Sequence, residues 1–494
     1  MAGHDAERDR VRSAPQLMTY ADSLGGGLSA LGGVLRGPLD GLFAGVHVLP
    51  PFPSSGDRGF APLTYAEIDP RFGTWADIEH LAERHDLLLD LMINHISRQS
   101  VEFQDFLQHG RQSRYADLFI TVDKVWPNGN PPAADVAKIF LRKPESPFST
   151  VTIADTGRTE RVWTSFGTRD WSEQIDLDMT SPATRAVITD WLRSFAGHGV
   201  RVVRLDAVGY VVKKAGTSCF MVEPEIYEFL DWITGVAASL DLMLLPEVHD
   251  RYSTHEALAA HGYWSYDFVL PGLLLNALDT GSAVRLGEHL ARSPERQFTM
   301  LDCHDGIPVR PDLDGILDHA EMLRLAELVQ SQGGNVNRIL SEAHADGDID
   351  IHQLNCTYYA ALGCDDDRYV AARAIQLFAR GVPQIYYVGL LAGDNDQAAL
   401  IESGDGRAIN RHNYTAGEIE AAVRRPVVQR ILDLVRLRNT EPAFAGQMNV
   451  TAVDTNTIRM TWCLDAQVCE LEAHLPTGRA TITQRGSVDR VTLV

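Results

Sequence analysis

Positive charge is scarce in this chain: 44 lysines and arginines stand against 66 acids over 494 residues, a formal charge of −22. Nucleic acid and anionic membranes are therefore not expected as partners, since both need a net basic surface. Cysteine is sparse as well. The six copies, at 219, 303, 356, 364, 463 and 469, lack paired metal-ligand spacing and read as small buried hydrophobes in a reducing compartment. No uncharged apolar run reaches the roughly 18 residues of a membrane span. Met1 to Gln16 is charged and has no apolar core, so no secretory signal is expected and the cytoplasm is the expected location. Internal repeats and low-complexity tracts are missing too, which excludes solenoids and disordered linkers.

What is present is apolar content of 45%, enough for a large core. Strand-like runs alternate with helix-period segments, the pattern of a parallel α/β architecture. The strands are expected at Gly45–Leu49, Leu87–Ile93, Val200–Leu205, Leu242–Pro246, Phe298–Leu301 and Val382–Val388. One connecting helix reads in detail: Ser181 caps it, Pro182 opens it, and Val187, Ile188, Trp191, Leu192 and Phe195 recur at helical spacing before Gly197 and Gly199.

The length suits a (β/α)8 barrel with insertions and an appendage. The barrel is expected over 14–95, 178–306 and 363–444, interrupted by an inserted segment 96–177 and a second at 307–362. The second is helical at first, then loop-like through Ala343–Asp348. Residues 445–494 alternate polar and apolar, as in Thr457–Trp462, and read as a small antiparallel β domain.

Three acids sit where such strands end. Val202-Val203-Arg204-Leu205 delivers Asp206, Leu242–Pro246 delivers Glu247, and Phe298–His304 leads to Asp305. The carboxyl ends of barrel strands line the active site. One strand-end acid is commonly a helix cap or turn former; three in corresponding places suit chemistry that handles a developing oxocarbenium ion.

Arg204-Leu205-Asp206, Pro246-Glu247-Val248-His249, His304-Asp305 and Asp90–His95 resemble the four sequence blocks of the α-amylase superfamily. Ala207–Tyr210, Ala215–Phe220, Leu354–Tyr359 and Ile409–His412 narrow the resemblance to its sucrose phosphorylase group. The resemblance implies a TIM barrel and a retaining transfer through a covalent glucosyl-enzyme. It makes Asp206 the nucleophile, Glu247 the general acid and Asp305 the stabiliser of the transition state. Arg204, two residues before Asp206 on the same strand face, is expected to keep the nucleophile ionised, while desolvation keeps Glu247 protonated. Asp57, Phe60, His95, Phe166, His304, Gln353 and Arg411 match sugar-binding positions, with Arg411 expected to pair with Asp57. Asn94 matches a calcium position of many amylases, but the phosphorylase group lacks that ion, so neither metal nor cofactor is expected. A monomer or homodimer is expected, its partners small sugars and inorganic phosphate.

Two loop segments depart from the group's usual pattern. Arg142, followed by Lys143, stands where Pro is usual, and His352 stands where Tyr is usual. Both changes add cationic or hydrogen-bonding capacity on the acceptor side, as in the variant that cleaves sucrose 6′-phosphate. The implied reaction turns sucrose 6′-phosphate and phosphate into α-D-glucose 1-phosphate and D-fructose 6-phosphate. Sucrose, glucosylglycerol or glucosylglycerate as the donor, hydrolysis by a retaining α-glucosidase, and a silent binding protein remain alternatives.

Overall fold

The computed structural model describes residues 14–143, 146–167, 173–309, 315–338, 351–486 and 490–493, and among them no helix is long and apolar enough to cross a membrane. Eight parallel strands form the centre: β1 Gln16–Tyr20, β2 Gly45–Leu49, β3 Asp86–Met92, β4 Val200–Asp206, β5 Met243–Pro246, β6 Ser265–Asp267, β7 Gln297–Thr299 and β8 Val382–Tyr386. Their hydrogen-bonded order is β6-β7-β8-β1-β2-β3-β4-β5, and the end strands β5 and β6 pack together, bringing the sheet round into a TIM barrel in chain order. Such strands are buried on both faces, which is why β2, β3 and β4 read as nearly continuous apolar runs.

The sequence reading missed β1 and β6. β6 is three residues long, and its Asp267 is held by buried His289 at 2.8 Å, so no apolar run announces it. β8 stops at Tyr386 because Tyr387–Leu390 winds into a short helix. The helix Pro182–Gly197 forms as expected, with Ser181 accepting from the Thr184 N–H and Gly199 leaving at φ 79°.

Between β3 and β4 the chain forms a hairpin, Phe148–Thr152 with Thr159–Trp163, over its own apolar cluster of Trp126, Ile139, Phe148 and Trp163. Between β7 and β8 a small antiparallel sheet joins Ile307–Pro308, Ile351–Asn355 and Asn335–Arg338, and the helix His319–Ser331 follows the first of these strands. The loop expected at Ala343–Asp348 lies outside the described residues. The last strands, from Gln447–Ala452 to Arg490–Leu493, make a five-stranded antiparallel meander. Ile458, Met460 and Trp462 face inward. The Trp462 indole donates to the Phe378 carbonyl at 2.7 Å, and the buried Arg438 guanidinium lies over the Phe444 and Trp462 rings.

Below β7 a fully buried ion pair anchors the strand end that leads to Asp305. Arg373, on the helix Asp366–Phe378, contacts Asp302 at 2.6 Å, Gln376 at 2.8 Å and the Tyr369 hydroxyl at 2.8 Å. Removing one partner of such a pair leaves a buried charge uncompensated. Arg373→Leu should therefore cost about 3–5 kcal/mol of stability, read from denaturant unfolding. Adding Asp302→Leu should return part of that loss.

Candidate active site

β4 alternates, so Arg204 and Asp206 share a face at the barrel mouth, and the strand ends at Ala207 in the left-handed region at φ 56°. Glu247 leaves β5 directly, its N–H bonded to the Leu205 carbonyl at 3.0 Å. Asp305 rides a tight turn in which Cys303 and Gly306 exchange backbone hydrogen bonds, and a Cβ on Gly306 would strike the Leu354 carbonyl. Asp57 follows β2 in a second strained turn, with Asp57 and Arg58 at φ 47° and 49°. Arg58 holds that turn through Asp22 at 2.8 Å and lies 4.0 Å over the Tyr20 ring. Strained backbone at these acids is typical of positions where the surroundings over-determine a side chain's aim.

A cavity of about 920 Å³ opens over these strand ends. Asp206, Glu247 and Asp305 line it, together with Asp57, Phe60, His95 and His304 and with Arg142, Phe166 and Gln353. Phe60 stacks flat on His304 at 4.7 Å, and the His95 and Phe166 rings lie 5.2 Å apart. Burial drives the His304 imidazole down to about 3, so it enters the site neutral.

Arg204 is the electrostatic centre. Its guanidinium meets Asp90, Asp206 at 3.0 Å and Glu247 at 2.6 Å, while His47 backs Asp90 at 2.7 Å. One cation thus serves three carboxylates. Burial pushes the Asp206 carboxyl well above its usual range, the Glu247 charge adds to this, and Arg204 offsets only part. Burial works against the Glu247 charge as well, but Arg204 and His249 outweigh it and hold Glu247 below the usual range. Both directions are opposite to those expected for the pair, and Arg204 approaches Glu247 more closely than Asp206.

Asp305 stays well below the carboxylate range: burial opposes its charge, but the cations Arg407 and Arg411 beside it outweigh that cost. Arg407 was missed by the sequence reading, yet it is the nearer partner of both sugar-side acids, 2.7 Å from Asp57 and 3.3 Å from Asp305. Arg411, expected to pair with Asp57, stands 3.7 Å from it and donates through Nε to the His304 carbonyl at 2.7 Å. The available signal was spacing, since Arg407 precedes Arg411 by four residues in the turn Gly406–Asn410.

Lys143 also differs from expectation. It is buried, and its ammonium donates to the Thr164 hydroxyl at 2.8 Å instead of lining the cavity. Arg142 is half-buried on the cavity wall, 6.0 Å over Phe166. His352 lies on the strand Ile351–Asn355, its side chain outside the described residues.

Cations are already built in where a metal would compete. The Lys213 ammonium reaches Asp176 at 2.7 Å, Asn94 at 3.1 Å, Ser165 at 3.0 Å and the Tyr210 carbonyl, so it fills the oxygen cage around Asn94. Glu247, His249 and Asp305 offer ligand atoms within 4.8 Å of one another, but arginines already neutralise both carboxylates.

With Arg204→Gln the three carboxylates lose their shared cation, and their pKa values should rise. The acidic limb of the activity profile should then move upward by about 1–3 pH units, with the rate falling at every pH. A limb that stays in place would separate Arg204 from the ionisation.

The α-amylase catalytic-domain family model matches residues 40–264. The sucrose 6(F)-phosphate phosphorylase of Thermoanaerobacterium thermosaccharolyticum is 52% identical over 473 residues, covering 96% of this chain and 97% of that one. The sucrose phosphorylase of Streptococcus mutans is 44% identical, covering 90% and 91%. A crystal structure of sucrose 6F-phosphate phosphorylase from Thermoanaerobacter thermosaccharolyticum superposes with a TM-score of 0.96 at 51% identity, covering 99% of this chain and all of that one. With this near-full-length similarity, the chain belongs to the sucrose phosphorylase group of the α-amylase family.

Proposed function

We propose that the chain is a retaining phosphorylase that converts sucrose 6′-phosphate and inorganic phosphate into α-D-glucose 1-phosphate and D-fructose 6-phosphate. The observation that carries the reading is Arg142 on the wall of the cavity that Asp206, Glu247 and Asp305 also line, a cation available to the acceptor's phosphate. Similarity to a relative named for this reaction supports it. The segments 96–177 and 307–362 are the inserted walls of the pocket, and 445–494 the appended β domain. Phosphorylated substrates place the enzyme in the cytoplasm.

The chemistry follows from the geometry. Asp57, Asp305, His95 and His304 hold the glucosyl ring over Phe60. Asp206 attacks the anomeric carbon as Glu247 protonates the departing fructosyl oxygen, and the Asp206–glucosyl ester forms. Phosphate then attacks the same carbon from the vacated side, and the ester breaks with net retention. The proton must reside on Glu247 at the first step, and Arg204 beside Asp206 favours the ionised nucleophile.

Asp206→Asn should lose several orders of magnitude in rate while staying folded. In the wild type, mass spectrometry of a trapped intermediate should place the glucosyl adduct on the peptide containing Asp206. Acceptor recognition is tested by phosphate-dependent release of glucose 1-phosphate from sucrose and from its 6′-phosphate. The wild type should prefer the phosphorylated donor. Arg142→Ala and His352→Ala should each lose about tenfold to a hundredfold in kcat/KM on that donor, as for one charge-assisted contact, with much smaller losses on sucrose. A wild type preferring sucrose, or parallel losses on both donors, would assign the chain to sucrose phosphorolysis instead.

A further inference from the structure

Glu247 meets donors on three sides. Arg204 Nη2 at 2.6 Å and His249 Nε2 at 3.0 Å both face Oε1, and the Ala207 N–H reaches Oε2 at 3.2 Å. A carboxylate so surrounded is held ionised, yet cleaving a bond between two sugars needs a proton on the leaving oxygen. Arg204 cannot release one at any ordinary pH, and a backbone amide cannot either. His249 can. Its ring stacks on Phe268 at 4.0 Å and 10°, which fixes its orientation, and it lines the cavity.

Two further carboxylates stand near His249. Asp305 lies with Glu247 and His249 in a group whose ligand atoms fall within 4.8 Å, and Asp250 adjoins it in the chain. On the helix Tyr252–Ala260, His255 packs 6.2 Å from Phe268, kept neutral because burial drives it down to about 4.

We infer that His249 is a positioning partner of Glu247 and that the two share the proton the reaction uses. The inference rests on the retaining mechanism proposed above. As the donor closes over the pair, desolvation disfavours the charge-separated form, and the proton passes from Nε2 to the Glu247 carboxylate. Glu247 delivers a proton to the fructosyl oxygen as its bond to the anomeric carbon breaks and the Asp206 ester forms. When phosphate attacks and the ester breaks, the proton that phosphate sheds returns to Glu247 and then to His249, so the cycle closes without net gain or loss.

His249→Gln keeps a donor beside Glu247 but cannot exchange a proton. With the fructosyl donor its kcat should fall about a hundredfold, within the span of general acid–base effects, while KM moves little and the pH profile loses one ionisation. With α-glucosyl fluoride, whose leaving group departs without a proton, fluoride release should fall less than about threefold. Added imidazole should restore part of the activity of His249→Ala. Equal losses on the two donors, an unchanged pH profile, or a rise in KM alone would overturn the inference and make His249 a structural or acceptor-binding residue. The fluoride measurement does not depend on whether fructose carries a phosphate, so failure here is distinct from failure of the acceptor assignment.

Discussion

The Arg204 guanidinium is shared among Asp90, Asp206 and Glu247 at the closed end of the cavity, and the rest of the site is arranged around that imbalance. A buried cation facing three acids cannot neutralise all of them, and in a desolvated setting the excess negative charge is relieved by retaining a proton. Arg204 lies 2.6 Å from Glu247 and 3.0 Å from Asp206, so small differences in approach decide how its charge is divided between the two residues that catalysis needs to be different.

The sugar side is built on the opposite plan. Asp57 and Asp305 are matched by Arg407 and Arg411, so their charges are balanced before any ligand enters. Both acids stand on turns with little freedom, one through left-handed residues and one through a glycine pressed against a neighbouring strand. Fixed, neutralised carboxylates suit hydroxyl binding, which needs acceptors in place more than it needs net charge.

The acceptor side faces a further constraint. A chain of formal charge −22 repels anions at long range, so a phosphorylated substrate has to be recognised by cations placed at close quarters. Arg142 stands on the cavity wall, whereas Lys143 is buried and donates to the Thr164 hydroxyl. Adjacent residues on an irregular segment point in different directions, and adjacency in sequence says little about which of two cations reaches a ligand.

Much of the barrel and the three acids were legible in the sequence because their signals are local. An apolar run buried on both faces, an Asp at its end and a residue two positions earlier on the same face all follow from strand geometry, as for Val200–Asp206. The Ser181–Pro182 helix start was equally readable, since a cap acts within one turn. Other features were decided only by the fold. β6 owes its place to a side-chain partner on another helix. Arg407 reaches Asp57 across 350 positions of chain, and Lys213 fills an oxygen cage drawn from four separate segments. How the charge of Arg204 is divided between Asp206 and Glu247 depends on distances and desolvation that only the closed barrel creates. Residue identity and spacing thus determined which groups could do the chemistry, while long-range packing decided which of them meet and in which charge state.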